Sequence, residues 1–337
     1  MRILLIRTSA LGDIVQCFPT LRALRCHFPA AVIGWVVEHR FAPLLENDPD
    51  LDQVLEVSLR TWRKAILSRA TWSAARDAVR EIRAFSADVV LDLMGNHKAG
   101  VIAFASSCRR RVGLRRQDRR EPSSAIWMTD AVQPIGVHSV ERAFSVASVL
   151  LGVEGSDLDF GASKILAAGR RPETPLPDSR YAVIHPGAAW PNKRYPAEKW
   201  GEVAKLLSRE AGLEVLISVG PEEEELGQTV LDSSSGSAWL AAEPSLPGLV
   251  SLLHGATLVL AGDTGPMHLA HALGTPVVAL MGPTHPEVHG PYGAPDRALS
   301  DVPHEAPHQG RAHVHTGLQD IAPHRVLAKA RAVLDGV

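Results

Sequence analysis

The stretch Ala261-Gly262-Asp263-Thr264-Gly265-Pro266-Met267-His268 lies between an apolar run at 256–260 and the pattern Leu269-Ala270-His271-Ala272-Leu273. It reads as a strand, a tight turn and the first turn of a helix. Gly265 lets the backbone approach a ligand closely, and the free N–H groups at the helix start form a positive dipole end suited to phosphate. Spacing alone leaves two readings open. One is a cradle for a diphosphate; the other is a plain strand-to-helix connection in which Asp263 or Thr264 caps the helix.

A similar unit opens the chain. Arg2-Ile3-Leu4-Leu5-Ile6-Arg7 reads as a buried strand, Thr8-Ser9-Ala10-Leu11-Gly12-Asp13-Ile14 as a glycine turn, and a helix then runs through Phe18 and Leu21 to Leu24. Asp13 falls near a helix start at the C-terminal edge of a parallel sheet, where open α/β sheets place their ligands. Gly12 is the only glycine of the turn, so this is no GxGxxG fingerprint and has little room for a dinucleotide pyrophosphate. Asp13 is either a capping carboxylate or a catalytic one.

Working outward, strands are predicted at 3–6, 32–37, 54–56 and 89–93, with helices at 72–85 and 140–151. The segment 169–177 holds three prolines and two adjacent arginines and reads as a linker. A second series follows, with strands at 181–184, 214–219, 258–260 and 277–280 and helices at 197–211 and 267–273. Two successive βα series predict an α/β protein with two Rossmann-like domains, 1–168 and 178–337, facing a central cleft. The last helix is allowed to pack back on the first domain. A chain of 337 residues, 45% of them hydrophobic, is long enough for two cores. No internal sequence repeat is visible.

Three cysteines, Cys17, Cys26 and Cys108, have no metal-ligand spacing and point to a reducing cytoplasm. There is no charged leader followed by an apolar segment and no run of about 18 apolar residues, which predicts a protein neither secreted nor membrane-spanning. The net charge of −2 hides an asymmetry: residues 1–170 carry 23 Lys and Arg against 18 Asp and Glu, and residues 171–337 carry 12 against 19. The excess gathers at Arg60, Arg63 and Lys64 and at Arg109, Arg110, Arg111, Arg115, Arg116, Arg119 and Arg120. Such clusters suit an anionic partner or form a solvated basic face. The acidic second half argues against a nucleic-acid protein that grips a backbone along its whole length.

In the second series, Ile184-His185-Pro186-Gly187-Ala188-Ala189 is again a strand followed by a small-residue loop, and Trp190-Pro191-Asn192-Lys193-Arg194-Tyr195-Pro196 follows. Lys193 is either an ordinary surface lysine or a cation that closes on a phosphate. His304, His308, His313 and His315 lie where little periodicity fixes their geometry and are read as a polar loop, not a metal site.

Together these residues resemble glycosyltransferase family 9, the ADP-heptose:lipopolysaccharide heptosyltransferases, from residue 1 to beyond 292. The resemblance rests on 8–13, on Gly262-Asp263-Thr264-Gly265-Pro266-Met267-His268-Leu269-Ala270, and on Leu273-Gly274-Thr275-Pro276 and Gly282-Pro283-Thr284. Trp35-Val36-Val37-Glu38, the stretch 60–65, Arg120-Glu121-Pro122 and 138–142 are most similar to the heptosyltransferase I branch.

That resemblance implies a GT-B fold and an inverting transfer in which an acceptor hydroxyl displaces ADP. Asp13 matches the catalytic base. Lys193, the Thr264-Gly265 backbone and the helix at Met267 match the groups that stabilise the leaving diphosphate, with no cofactor and no obligatory metal. Donor contacts are implied for Ser9, Gly12, Gly187, Ala188, Lys193, Glu223, Asp263, Thr264, Gly265, Met267 and His268, Glu223 being placed for the ribose. Acceptor contacts are implied for Arg60, Arg63, Lys64, Arg120 and His138. The implied partners are ADP-heptose and Kdo-lipid A at the inner-membrane surface, where the protein would be peripheral on the cytoplasmic face. Ala188 and Ala189 stand where relatives carry hydroxyl residues, so any phosphate contact there must come from backbone N–H groups. A heptosyltransferase II type, a nucleotide-sugar 2-epimerase and a non-catalytic sugar-nucleotide binding module are the alternatives.

Overall fold

The computed structural model describes residues 1–152, 158–241, 245–301 and 317–336. The four histidines of 304–315 lie outside these residues. The chain forms two compact units, Met1–Ala168 and Gly169–Val337.

The first unit is built on six parallel strands: β1 (Arg2–Ile6), β2 (Val32–Glu38), β3 (Gln53–Val57), β4 (Val89–Asp92), β5 (Arg111–Leu114) and β6 (Asp130–Val132). Their order is β3-β2-β1-β4-β5-β6. Helices cover both faces, so the central strands read as unbroken apolar runs, with Ile3, Leu4, Leu5 and Ile6 all shut off from solvent. On one face, Leu4, Ile6, Val36 and Val90 pack against Ala78, Ile82 and Phe85 at helix Arg69–Ala84 and against Ile102 and Ala103 of helix His97–Ala105. Elsewhere in the core, Phe18 of helix Phe18–His27 meets Trp35 edge to face, ring centroids 6.1 Å apart.

The second unit repeats the plan with β7 (Tyr181–His185), β8 (Glu214–Ser218), β9 (Trp239–Ala241), β10 (Leu258–Gly262), β11 (Val277–Leu280) and β12 (Ala298–Leu299), in the order β12-β11-β10-β7-β8-β9. Numbered from the start of each unit, both sheets have the doubly wound order 3-2-1-4-5-6. Trp200, Val203 and Leu207 of helix Ala197–Ala211 enter the core beside Ile184, Val215 and Ile217. The last helix, Pro323–Asp335, puts Val326, Leu327, Ala330 and Val333 into the same core. No helix among the described residues is long and apolar enough to cross a membrane.

The doubly wound order fixes where ligands can sit. In each sheet the connection reverses direction between two central strands, β1 and β4 in one and β7 and β10 in the other, and a crevice opens beyond their carboxyl ends. The turns after these four strands carry Asp13, Gly95, Gly187 and Asp263.

Candidate active site

In the second unit the centre of the site is Asp263, one residue past β10. Its Oδ2 accepts from Lys193 Nζ at 2.5 Å and from Thr284 Oγ1 at 2.8 Å, and its Oδ1 lies 3.3 Å from His268 Nε2. Burial opposes its charge, yet the His268 hydrogen bond and the charges of Lys193, His268 and His289 outweigh this and hold the carboxyl well below the usual carboxylate range. An anion fixed in this way does not itself attract a diphosphate. It orients the ammonium of Lys193, which also lies over the Trp190 ring at 5.0 Å and has three donors, so that one carboxylate does not exhaust it.

Helix Gly265–Ala272 begins at Thr264, and no side chain caps it; Pro266 occupies its first turn, where a missing N–H is harmless. Of the two readings of this turn, the side-chain cap is the one the structure lacks. Two glycines permit close approaches. A Cβ on Gly262 would meet the carbonyl oxygen of Lys193 at 3.0 Å, and one on Gly187 would lie 2.0 Å from Glu223 Oε2. Glu223 accepts from the Gly220 N–H at 3.0 Å and pairs with Arg194 Nη2 at 3.2 Å. The carboxylate that resemblance assigns to a ribose is therefore already braced across the loop that follows β7.

His185 ends β7 with Nδ1 buried and unpartnered, and burial lowers its pKa to about 4. A histidine in the unfolded chain titrates near 6.5, so stability that is complete above that pH is lost as the pH falls toward 4. The loss is expected to reach about 3 kcal/mol. Chemical denaturation at pH 7 and pH 4.5 checks it: His185→Asn should flatten the slope relative to wild type, and parallel slopes would mean that the imidazole takes up its proton in the folded protein.

In the first unit Asp13 is the third residue of the short helix Leu11–Val15. Its Oδ2 accepts from the Ala10 N–H at 2.9 Å, the reciprocal half of a capping box. Its Oδ1 pairs with Arg7 Nη2 at 2.6 Å, and its side chain keeps 31% of its surface exposed. Of the two readings of Asp13, the capping carboxylate is the one its hydrogen bond to Ala10 shows. Arg7 leaves the end of β1 and also donates to the Leu93 carbonyl beyond β4. Burial disfavours its charge, but Asp13 and neighbouring groups raise its pKa, so Arg7 is a permanent cation beside that carboxylate. Cys17 nearby is no rival nucleophile: burial pushes its thiol up to about 12.

The arginine-rich run is not one surface. Arg111 begins β5 and donates to the carbonyls of Trp127 and Cys108, while Arg110 and Arg115 pair with Asp130 and Asp118. Arg119 is fully buried, pairs with Asp92 at the end of β4, and donates to Ser124 Oγ at 2.8 Å. Arg120, by contrast, is exposed, as are Arg60, Arg63 and Lys64 on and beside helix Leu59–Lys64. Arg40, unmentioned in the sequence reading, joins them: its pKa is lowered by burial and by the charge of Arg60. His138 is buried and caps helix Ser139–Leu151, with Nδ1 accepting from the Val140 N–H at 3.1 Å, which leaves only Nε2 for any other partner. Lys98 is exposed.

The acidic run Asp48-Pro49-Asp50-Leu51-Asp52 has the look of a metal motif, yet it is taken up by Arg22, Lys164 and Arg25. Among the described residues no three His, Cys, Asp or Glu side chains are grouped so as to hold a metal ion.

Comparison with known proteins gives this geometry its context. The profile of Glycosyltransferase family 9 (heptosyltransferase) matches residues 75–317. Lipopolysaccharide heptosyltransferase 1 of Pseudomonas aeruginosa is 31% identical, over 90% of this chain and 85% of its own length. The chain belongs to glycosyltransferase family 9. It is accordingly an enzyme, and its two parallel-sheet units are those of a GT-B glycosyltransferase. The solved structure described as E. coli heptosyltransferase WaaC with ADP superposes with a TM-score of 0.83 at 25% identity, covering 99% of this chain and 100% of that one. Lipopolysaccharide heptosyltransferase 2 of Salmonella typhimurium is more distant, 26% identical over 99% of both chains.

Sequence reasoning missed several residues of this candidate site. Thr284 stood inside a quoted motif and Arg194 beside a quoted lysine, so both were within reach. Arg7, close to Asp13 in the chain, was too; the buried pair of Asp92 and Arg119 was not, because its members lie 27 residues apart.

Proposed function

We propose that the enzyme transfers heptose from ADP-heptose to the Kdo of the lipopolysaccharide inner core, with Kdo-lipid A as acceptor and inversion at the anomeric carbon. The observation that carries this reading is the Asp263 hub. It holds the only lysine of the loop after β7 against an uncapped helix start at the switch point of the second sheet, in a chain 31% identical to a lipopolysaccharide heptosyltransferase 1. As the Kdo hydroxyl oxygen attacks, Asp13 takes its proton, the bond from the anomeric carbon to the diphosphate breaks, and the charge that grows on ADP is met by Lys193 and the helix dipole. The exposed cations of the first unit, Arg60, Arg63, Lys64 and Arg120, bind the acceptor's carboxylate and phosphates. The enzyme works as a peripheral protein on the cytoplasmic face of the inner membrane.

The test is incubation with ADP-heptose and Kdo-lipid A, with mass spectrometry of the glycolipid. Gain of one heptose supports the reading. Transfer only to an acceptor that already carries one heptose would assign the heptosyltransferase II reaction instead, and release of ADP-free epimer would assign neither. Lys193→Ala is expected to weaken ADP-heptose binding and to slow turnover together by about 10²-fold, since it removes charge stabilisation of the leaving group. Addition of EDTA should change little. Turnover of Lys193→Ala within threefold of wild type, or a strict need for a divalent ion, would overturn this assignment of the leaving-group contacts.

A further inference from the structure

From Val57 to Arg76 the chain has five cations, Arg60, Arg63, Lys64, Arg69 and Arg76, and no acidic residue. Helix Leu59–Lys64 buries none of its side chains, and the buried positions of helix Arg69–Ala84 begin only at Ala78. Leu59 and Trp62 lean on the core and anchor the segment. At and beside the turn between the helices, large apolar side chains stand in water: Leu67 is 95% exposed, Trp72 60% and Ile66 58%. Each carries an unfavourable hydration free energy that burial elsewhere would relieve.

We propose that this turn docks the protein on an anionic lipid bilayer, with Ile66, Leu67 and Trp72 entering the boundary between headgroups and acyl chains and the surrounding cations pairing with lipid phosphates. Cations alone would suit any anionic partner. Leucine, isoleucine and tryptophan flanked along the chain by Lys and Arg, with no acidic residue from 57 to 76, is the composition of a segment lying in the membrane interface, where the indole sits at headgroup level. Docking there brings Arg60, Arg63 and Lys64 to the plane from which a lipid-anchored sugar projects and raises the effective acceptor concentration without a new contact. The inference deepens the proposed function, but vesicle binding is measured with no acceptor present, so the two can fail separately.

The experiment compares full-length wild type with the double variant Ile66→Ser/Leu67→Ser by co-sedimentation with vesicles of equal parts phosphatidylethanolamine and phosphatidylglycerol, and with phosphatidylcholine vesicles as the uncharged reference. Wild type should bind the anionic vesicles and not the uncharged ones, and the double variant should partition at least about tenfold less, roughly the effect of withdrawing two half-buried aliphatic side chains. Both positions are exposed, so thermal melting should be unchanged. Transfer to a deacylated, water-soluble acceptor should be unaffected in the variant, while transfer to vesicle-borne acceptor falls. Undiminished vesicle binding by the variant, no binding by wild type, or equal binding of wild type to both vesicle types would overturn the proposal. So would a loss of self-association in the variant by light scattering in place of a loss of lipid binding, since the patch would then cover a second copy of the chain.

Discussion

Asp13→Ala is expected to lower heptose transfer by a factor of about 10²–10⁴ while leaving ADP affinity within a few-fold of wild type, because a positioned general base contributes on that scale and acts on the acceptor proton alone. The alanine also removes the acceptor of the Ala10 N–H and the partner of Arg7, so part of its effect is structural. Asp13→Asn separates the two contributions. The amide oxygen still accepts from Ala10 and keeps the helix cap, but the side chain cannot take a proton at neutral pH. Turnover of the asparagine variant should therefore fall nearly as far as that of the alanine variant, with thermal stability nearer to wild type. Calorimetry with ADP and single-turnover rates measure the two quantities. Residual transfer above about a tenth of wild type in either variant would remove Asp13 from the base role.

The second large effect is on stability. Arg119→Ala should cost about 3–5 kcal/mol, the usual result of removing one member of a buried ion pair and leaving the other charge without its partner. Asp92 keeps the N–H groups of Met94 and Gly95 at 2.9 and 3.0 Å, which places the expectation in the lower half of that range. Arg119 also ties the ends of several segments together, reaching Ser124 and the Leu114 carbonyl from its place beside Arg120. The Gly95 turn beyond β4 packs on the same backbone, since a Cβ there would meet the Arg120 nitrogen at 3.3 Å. Loss of Arg119 should accordingly raise KM for the anionic acceptor through displacement of Arg120. The double variant Asp92→Asn/Arg119→Met, which withdraws both charges, should recover much of the lost stability. Urea denaturation gives both numbers; a cost below about 1 kcal/mol for Arg119→Ala would mean that the pair is solvated in the working protein.

Arg119 also shows where reading a sequence stops. Arg109, Arg110, Arg111, Arg115, Arg116, Arg119 and Arg120 look equivalent as letters, and all were counted toward a basic face. Within the run lies β5, a four-residue strand with too few apolar positions to announce itself, and its neighbours then divide between backbone carbonyls, ion pairs and solvent. The short strands β6, β9 and β12 escaped notice for the same reason: with only two or three residues, they have no periodicity to read.

What the chain determined by itself was local. Unbroken apolar runs marked the central strands of both sheets, because a strand covered on two faces has no polar alternation. Glycine-bearing turns at their carboxyl ends marked the strand-to-helix connections at the switch points, since a tight turn into a helix start favours such residues. The bounds of strand Val277–Leu280 and of helix Ala197–Ala211 were legible to the residue. Only the tertiary structure decided which charges have partners. Lys193 and Asp263 are 70 residues apart, Arg7 and the Leu93 carbonyl 86, Arg119 and Asp92 27. An ion pair leaves no periodic trace in a sequence, because it depends on two side chains meeting in space and on how much water is left between them. The shared strand order of the two units was hidden for a related reason: a parallel sheet needs apolar side chains at its core positions but not the same ones, so the fold repeats where the letters do not.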